Sequence, residues 1–129
     1  MDCFDISASG LSAQRGRLDI IASNIANVET TRTPTGGPYR RLQALFASRT
    51  DGPGGVELVN TVVDPRDFRR VYQPGHPEAD ADGVVAYPNV NIVEEMVDLI
   101  SATRSYEANA AAFNAARAMA QNALDLGRA

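Results

Sequence analysis

Each end of the chain repeats apolar residues at helical spacing, and neither stretch has a neighbouring segment able to cover its stripe. Phe4, Leu11, Leu18 and Ile25 recur every seven residues, and Ala8, Ile21, Ala22 and Val28 widen the line along residues 3–28. From Pro88 onward the pattern returns. Asn91 followed by Glu94 forms a capping box with an amide in place of Ser or Thr, and predicts a helix start. Ile92, Met96, Leu99, Thr103, Tyr106, Ala110, Phe113, Arg117, Ala120 and Leu124 then step by four and three until Gly127. That is a heptad over roughly 35 residues, about 50 Å.

The two stripes predict one another's cover. Apolar surface left in water is unfavourable by about 25 cal/mol per Å², and a chain whose middle returns its ends to one place lets the two helices lie antiparallel. The fold class expected is mainly α with a small β-rich insertion, the long terminal helices forming an antiparallel coiled-coil hairpin. The lengths do not match, and on the order of 13 Å of the second helix stays uncovered. Val93, Val97 and Ile100 also form a second row beside Ile92, Met96 and Leu99, which one partner helix cannot reach. The stripes therefore predict packing against other copies. The assembly interface expected comprises Phe4, Leu11, Leu18, Ile21, Ile25 and Val28 on the first helix. On the second it comprises Ile92, Val93, Met96, Val97, Leu99, Ile100, Tyr106, Phe113 and Leu124. Alanines from Ala108 to Ala120 permit close approach while favouring helix. Gly16, inside the first helix, costs about 1 kcal/mol relative to alanine, so the helix is weak there or something approaches it closely.

Thr30–Pro38, "TTRTPTGGP", ends the first helix. Tyr39–Phe46 and Val56–Val63 read as strands joined by the Ser48–Gly55 loop, and Phe68–Tyr72 and Gly83–Tyr87 as two more. "QPGHPEADADG" between them is loop. This middle has too little apolar mass to be stable alone. The organisation expected is residues 1–29 and 89–129 as the two halves of a helical core, with 30–88 as the β-rich segment between them.

Composition narrows the function. At 129 residues, 44% hydrophobic and 22% charged, the chain is one folded domain's worth of sequence. The net charge is −4, and the residues after position 50 hold six Arg against twelve acids, the opposite of a phosphate-binding balance; no nucleic-acid partner is expected. Cys3 stands alone, so no internal disulfide is expected. Asp2, Asp5, Ser7, Ser9 and Gly10 interrupt any secretory-type apolar run, and no 18-residue apolar span suits a bilayer. On the residues alone the expectation is a cytoplasmic protein without membrane insertion.

Reactive constellations are weak. Glu78, Asp80, Asp82 and Gly83 imitate a calcium loop, but the twelfth position is Asn89 where a bidentate Glu is needed, so a solvated acidic turn is the better reading. His76 has no second ligand at metal spacing. One His, one Cys and scattered serines make no triad; no enzyme activity, metal or cofactor is expected. Glu94, Glu95 and Asp98 read as favourable charges at a helix start, and Arg117 as a side chain that either snorkels along the seam, the favoured reading, or pairs with an acid such as Asp5 or Asp19 across a helix contact. The competing class, a small enzyme or calcium-binding module, predicts a folded monomer with a saturable ligand.

Three segments carry a resemblance: "SGLSAQRGRLDIIASNIANVETTRTPTGGPYRR" at 9–41, "VVDPRDFRRVYQPGHPEADADGVVAYPNVN" at 62–91, and "EEMVDLISATRSYEANAAAFNAARAMAQNALDLG" at 94–127. Together they resemble the bacterial flagellar basal-body rod proteins; the outer two are similar to termini shared more widely among rod, hook and hook-associated proteins. The resemblance implies a tube with the terminal helices as its inner coiled-coil layer, built from copies of the chain and other rod proteins and transmitting torque from motor to hook. It also implies export by the flagellar type III apparatus without a cleavable signal, and a periplasmic place in the basal body instead of the cytoplasmic one. The chain departs from the pattern in a short lead before Phe4 and a compact Ser48–Gly55 loop. A different rod or hook subunit is the nearest alternative.

Overall fold

A computed structural model describes residues 2–50 and 54–128, with the side chains of Asp2 and Cys3 outside the description. The expectation for Cys3 and the middle of the Ser48–Gly55 loop therefore fall outside the described residues. The element order is α1 (Asp2–Ala26), β1 (Leu42–Ser48), β2 (Val56–Val63), β3 (Arg69–Tyr72), β4 (Val84–Tyr87) and α2 (Ile92–Arg128). The strands make two separate antiparallel pairs, β1 with β2 and β3 with β4.

Local chemistry explains where these bounds differ from expectation. α1 stops at Ala26, short of Val28, where Asn27 turns its amide back to the Ser23 carbonyl at 2.8 Å and accepts from Thr30 Oγ1 at 3.1 Å. The first strand begins at Leu42, three residues late, because Tyr39 N–H is taken by the Thr30 carbonyl and Arg41 N–H by Asn89 Oδ1 at 2.8 Å. Gly83 stays in the turn before β4 at φ +79°, a backbone conformation that suits glycine. Asn91 Oδ1 caps α2 by accepting from Val93 and Glu94 N–H, but only half a capping box forms: the Glu94 carboxylate turns outward to Arg66 at 3.3 Å. At the other end α2 runs through Gly127 to Arg128 instead of stopping at the glycine.

α1 and α2 run side by side in opposite order. Phe4 meets Phe113 edge to face with ring centroids 5.2 Å apart, Gly10 lies against Asn109, and Asn24 reaches Glu95 at 3.4 Å. The helices come close at Gly10: a Cβ there would sit 2.7 Å from Asn109 Oδ1. Gly16 has a different neighbour. Leu58 of β2 occupies the space a side chain would fill, 3.2 Å from the position of the missing Cβ. The first hairpin therefore shares the covering of α1 with α2, a role that periodicity assigned to α2 alone. Ser9 fastens the same hairpin, accepting Val56 N–H at 3.1 Å while donating to its own helix at Ile6.

The face α2 turns inward also differs from the expected heptad. Glu95 and Ala102 are buried, and Leu99, Asn109, Ala110, Phe113, Ala116 and Ala120 half-buried, whereas Ile92, Met96, Thr103, Arg117 and Leu124 are exposed. Small residues win this face because the close contact at Gly10 leaves no room for a row of large ones.

Candidate assembly surface and the buried ionic clasp beneath it

Of the residues expected at an interface, Ile21 is buried, Phe4, Leu11, Leu18, Ile25, Leu99 and Phe113 are half-buried along the two helices, and Val28 is half-buried in the turn after α1. Ile92, Val93, Met96, Val97, Ile100, Tyr106 and Leu124 are exposed on α2. Val93, Val97 and Ile100 keep 65%, 61% and 57% of their surfaces in water, a contiguous apolar ridge at the start of the helix. α2 is 37 residues long against 25 for α1, so its last turns extend past α1 and leave Leu124 and Leu126 exposed.

Beneath this ridge lies a polar core that periodicity did not indicate. Arg41, just before β1, enters a space bounded by the C-terminal part of α1, the segment after β2 and the first turns of α2. Its Nε donates to Glu95 Oε1, its Nη1 to Asp64 Oδ2 at 3.1 Å, and its Nη2 to Asp98 Oδ2 at 3.3 Å. The Glu95 side chain is fully buried and those of Asp64 and Arg41 nearly so. Glu95 is thus the inner anchor of the fold, not a solvated charge favouring a helix start. Each remaining polar atom has a partner: among the described residues no buried side-chain nitrogen or oxygen is left unsatisfied.

Two asparagines complete the joint. Asn24 of α1 exchanges two hydrogen bonds with the Leu42 backbone, at 2.8 and 3.0 Å, accepts Tyr39 OH at 2.9 Å and donates to Glu95 Oε2. Asn89 accepts from Arg41 N–H and donates to the carbonyls of Asp64 and Arg66 at 3.1 and 3.0 Å. Arg66 then closes on Asp64 through Nε and its own N–H, both at 2.9 Å. Burial alone would push the Asp64 carboxyl up, but the hydrogen bonds from Arg66 side chain and backbone and from Arg41 outweigh it and hold the group at about 2. Burial likewise works against the Arg41 charge, and the hydrogen bonds to Glu95 and Asp64 raise its pKa nonetheless. The clasp joins residues that lie up to 71 positions apart, from α1 to α2, and fixes the base of the ridge.

The loop expected to be a solvated acidic turn has its own local order. Asp80 Oδ1 accepts the N–H groups of Asp82 and Val84, each at 2.9 Å, and His76 Nδ1 accepts Glu78 N–H at 3.0 Å while its ring meets Tyr87. No helix among the described residues is long and apolar enough to cross a membrane.

Comparison with known proteins places this geometry in a family. Residues 4–32 match the model of the flagella basal body rod protein, and residues 81–126 that of the flagellar basal body rod FlgEFG protein C-terminal region. The chain is 44% identical over 131 residues to the flagellar basal-body rod protein FlgC of Yersinia enterocolitica, covering 99% of this chain and 98% of the relative. It is 42% identical to the FlgC of Borreliella burgdorferi, over 93% of this chain and 92% of the relative. The FlgC of Bacillus subtilis is 41% identical, over 96% and 95%. With such identity sustained from α1 through both hairpins to α2, the chain belongs to the FlgC family of flagellar basal-body rod proteins.

Proposed function

We propose that the chain is a structural subunit of the proximal flagellar rod, packing helically with copies of itself and other rod proteins in the periplasm to carry torque from motor to hook. The observation that carries this reading is the exposed ridge of Val93, Val97 and Ile100, with Met96 on its flank, on a helix whose opposite side already lies on α1. Apolar surface on that scale favours burial in a neighbour. The terminal helices act as an antiparallel coiled-coil hairpin, residues 1–29 with 89–129, and the segment 30–88 is fastened to its outside through Arg41 and Leu58. A drive shaft needs lateral stiffness and axial continuity. Interdigitated helical faces supply the first because packed interiors resist small deformation. Export through the flagellar type III apparatus and the lack of enzymatic chemistry belong to the same reading.

The test is complementation of a strain deleted for this gene. Wild-type chain restores swimming in soft agar, whereas Met96→Asp, at a position 51% exposed, keeps a native circular dichroism spectrum and fails to restore it. Full swimming with Met96→Asp, or with the gene deleted, refutes the proposal.

A further inference from the structure

The outer edge of β1 opens into a groove. Arg41 and Arg49 flank the strand: the Arg41 carbonyl accepts Asp64 N–H at 2.9 Å and Arg49 N–H reaches the Gly55 carbonyl at 3.0 Å, so the odd-numbered positions turn toward β2. Alternation sends Leu42, Ala44 and Phe46 the other way. At Leu42 that side is paired: the Asn24 side chain accepts its N–H at 3.0 Å and donates to its carbonyl at 2.8 Å, the exchange a neighbouring strand residue makes. Beyond Leu42 the pairing stops, and nothing among the described residues bonds the outward main chain of Ala44 or Phe46. The groove they face has a volume of about 390 Å³ and is walled by β1, by Arg17, Ile20 and Ile21 of α1, and by the clasp. The clasp acids Glu95 and Asp98 both bond Arg41. Half-buried Arg17 instead reaches only Gln14 Oε1 at 3.4 Å and pairs with no carboxylate among the described residues.

We infer that an extended segment of a different protein adds to β1 here as a third strand. Its main chain continues the pairing that Asn24 begins, with rungs at Ala44 and Phe46 about 6.8 Å apart. An apolar side chain of the segment rests on Ile20 and Ile21, and a carboxylate meets Arg17. The open edge and the charge complementarity thus specify a strand that is both apolar and acidic, and a second copy of this chain has none to lend. Glu57 is already built into β2 and Asp64 into the clasp, Phe68 beside Asp67 lies under the Arg40 guanidinium at 4.2 Å, and Glu78, Asp80 and Asp82 alternate with alanines. The groove is separate from the Val93–Ile100 ridge, so the segment adds a partner to the shaft packing of that ridge. Failure of this docking leaves the rod function, tested by swimming, standing.

Photocross-linking in a strain deleted for this gene tests it, with p-benzoylphenylalanine placed at Leu45, a 47% exposed position on the groove wall. The full chain gives a covalent product in isolated basal bodies, and mass spectrometry maps the attachment to another protein, within about three residues of an Asp or Glu. Ala44→Pro removes the outward N–H and no bond of the β1–β2 ladder, and lowers the yield per incorporated chain at least about tenfold. Arg17→Glu lowers it as much and Arg17→Lys retains it, a charge dependence that loss of folding does not explain. No product, attachment to a second copy or to a segment without an acid, or undiminished yield in Ala44→Pro or Arg17→Glu overturns the inference.

Discussion

Replacing Arg41 with methionine keeps the length of the side chain and deletes its charge, leaving two buried carboxylates short of a partner. Asp64 retains Arg66, which grips it through Nε and the backbone N–H at 2.9 Å. Among the described residues Glu95 retains only Asn24 Nδ2 at 3.4 Å, while its side chain is 0% exposed. Removing one member of a buried ion pair costs about 3–5 kcal/mol, mostly because the survivor stays desolvated and uncompensated. Against a total stability of about 5–15 kcal/mol this is a large share, and it lowers the melting temperature by roughly 10–20 °C. Urea unfolding followed by circular dichroism measures it. Arg41→Met with Glu95→Gln removes the stranded charge along with its partner, so the double variant is more stable than the sum of the single losses predicts, with a coupling of about 2 kcal/mol. A loss under about 1 kcal/mol for Arg41→Met, or additivity across the cycle, refutes the clasp as the anchor of the fold.

Two further outcomes follow from features away from the ridge. Because Asp64 titrates at about 2 when folded against an ordinary 3.8, the unfolded chain binds protons first on acidification. Its contribution, about 2 kcal/mol, is complete above pH 3.8 and lost as pH falls through 2; acid unfolding of Asp64→Asn should therefore differ from wild type at neutral pH and converge with it near pH 2. Gly10→Ala improves helix propensity by about 1 kcal/mol yet brings a methyl group to 2.7 Å from Asn109 Oδ1, a side chain held by its own bond to the Ser105 carbonyl. Net destabilisation of about 1–2 kcal/mol in thermal melts is expected, and a stabilised variant would contradict the close approach.

The helices, the first hairpin and the two later strands were legible because each is written locally, whereas the pairing of β3 with β4 apart from the first hairpin was not. Apolar recurrence marks α1 and α2, β-branched runs mark the strands, and Asn91 marks a helix start in its own side chain. The inward face of α2 was misread because hydrophobicity is a poor guide where helices touch closely. There Ala102 and Asn109 take positions that Ile92 and Met96 hold in a purely apolar count, and the large side chains are displaced to the outside. Gly16 did signal an approach, though not whose, since Leu58 arrives from a strand distant in sequence. The clasp was illegible for a related reason. Glu95 at a helix start, Arg41 before a strand and Asp64 before a proline each have an ordinary local explanation, and only the fold brings them within hydrogen-bond distance. Arg41 directly after Arg40 was no cue, because arginine is commonly solvated.

The clasp also sets the order in which the molecule can become itself. Asn24 and Arg41 find Glu95 across separations of 71 and 54 residues, and Gly10 finds Asn109 across a still longer one. Contacts so distant along the chain form slowly, since a large loop must close before any of them is made. A polypeptide growing from its amino end holds Arg41 and Asp64 without Glu95, the acid that completes them, until its final third has begun to follow, and cannot close the clasp before then.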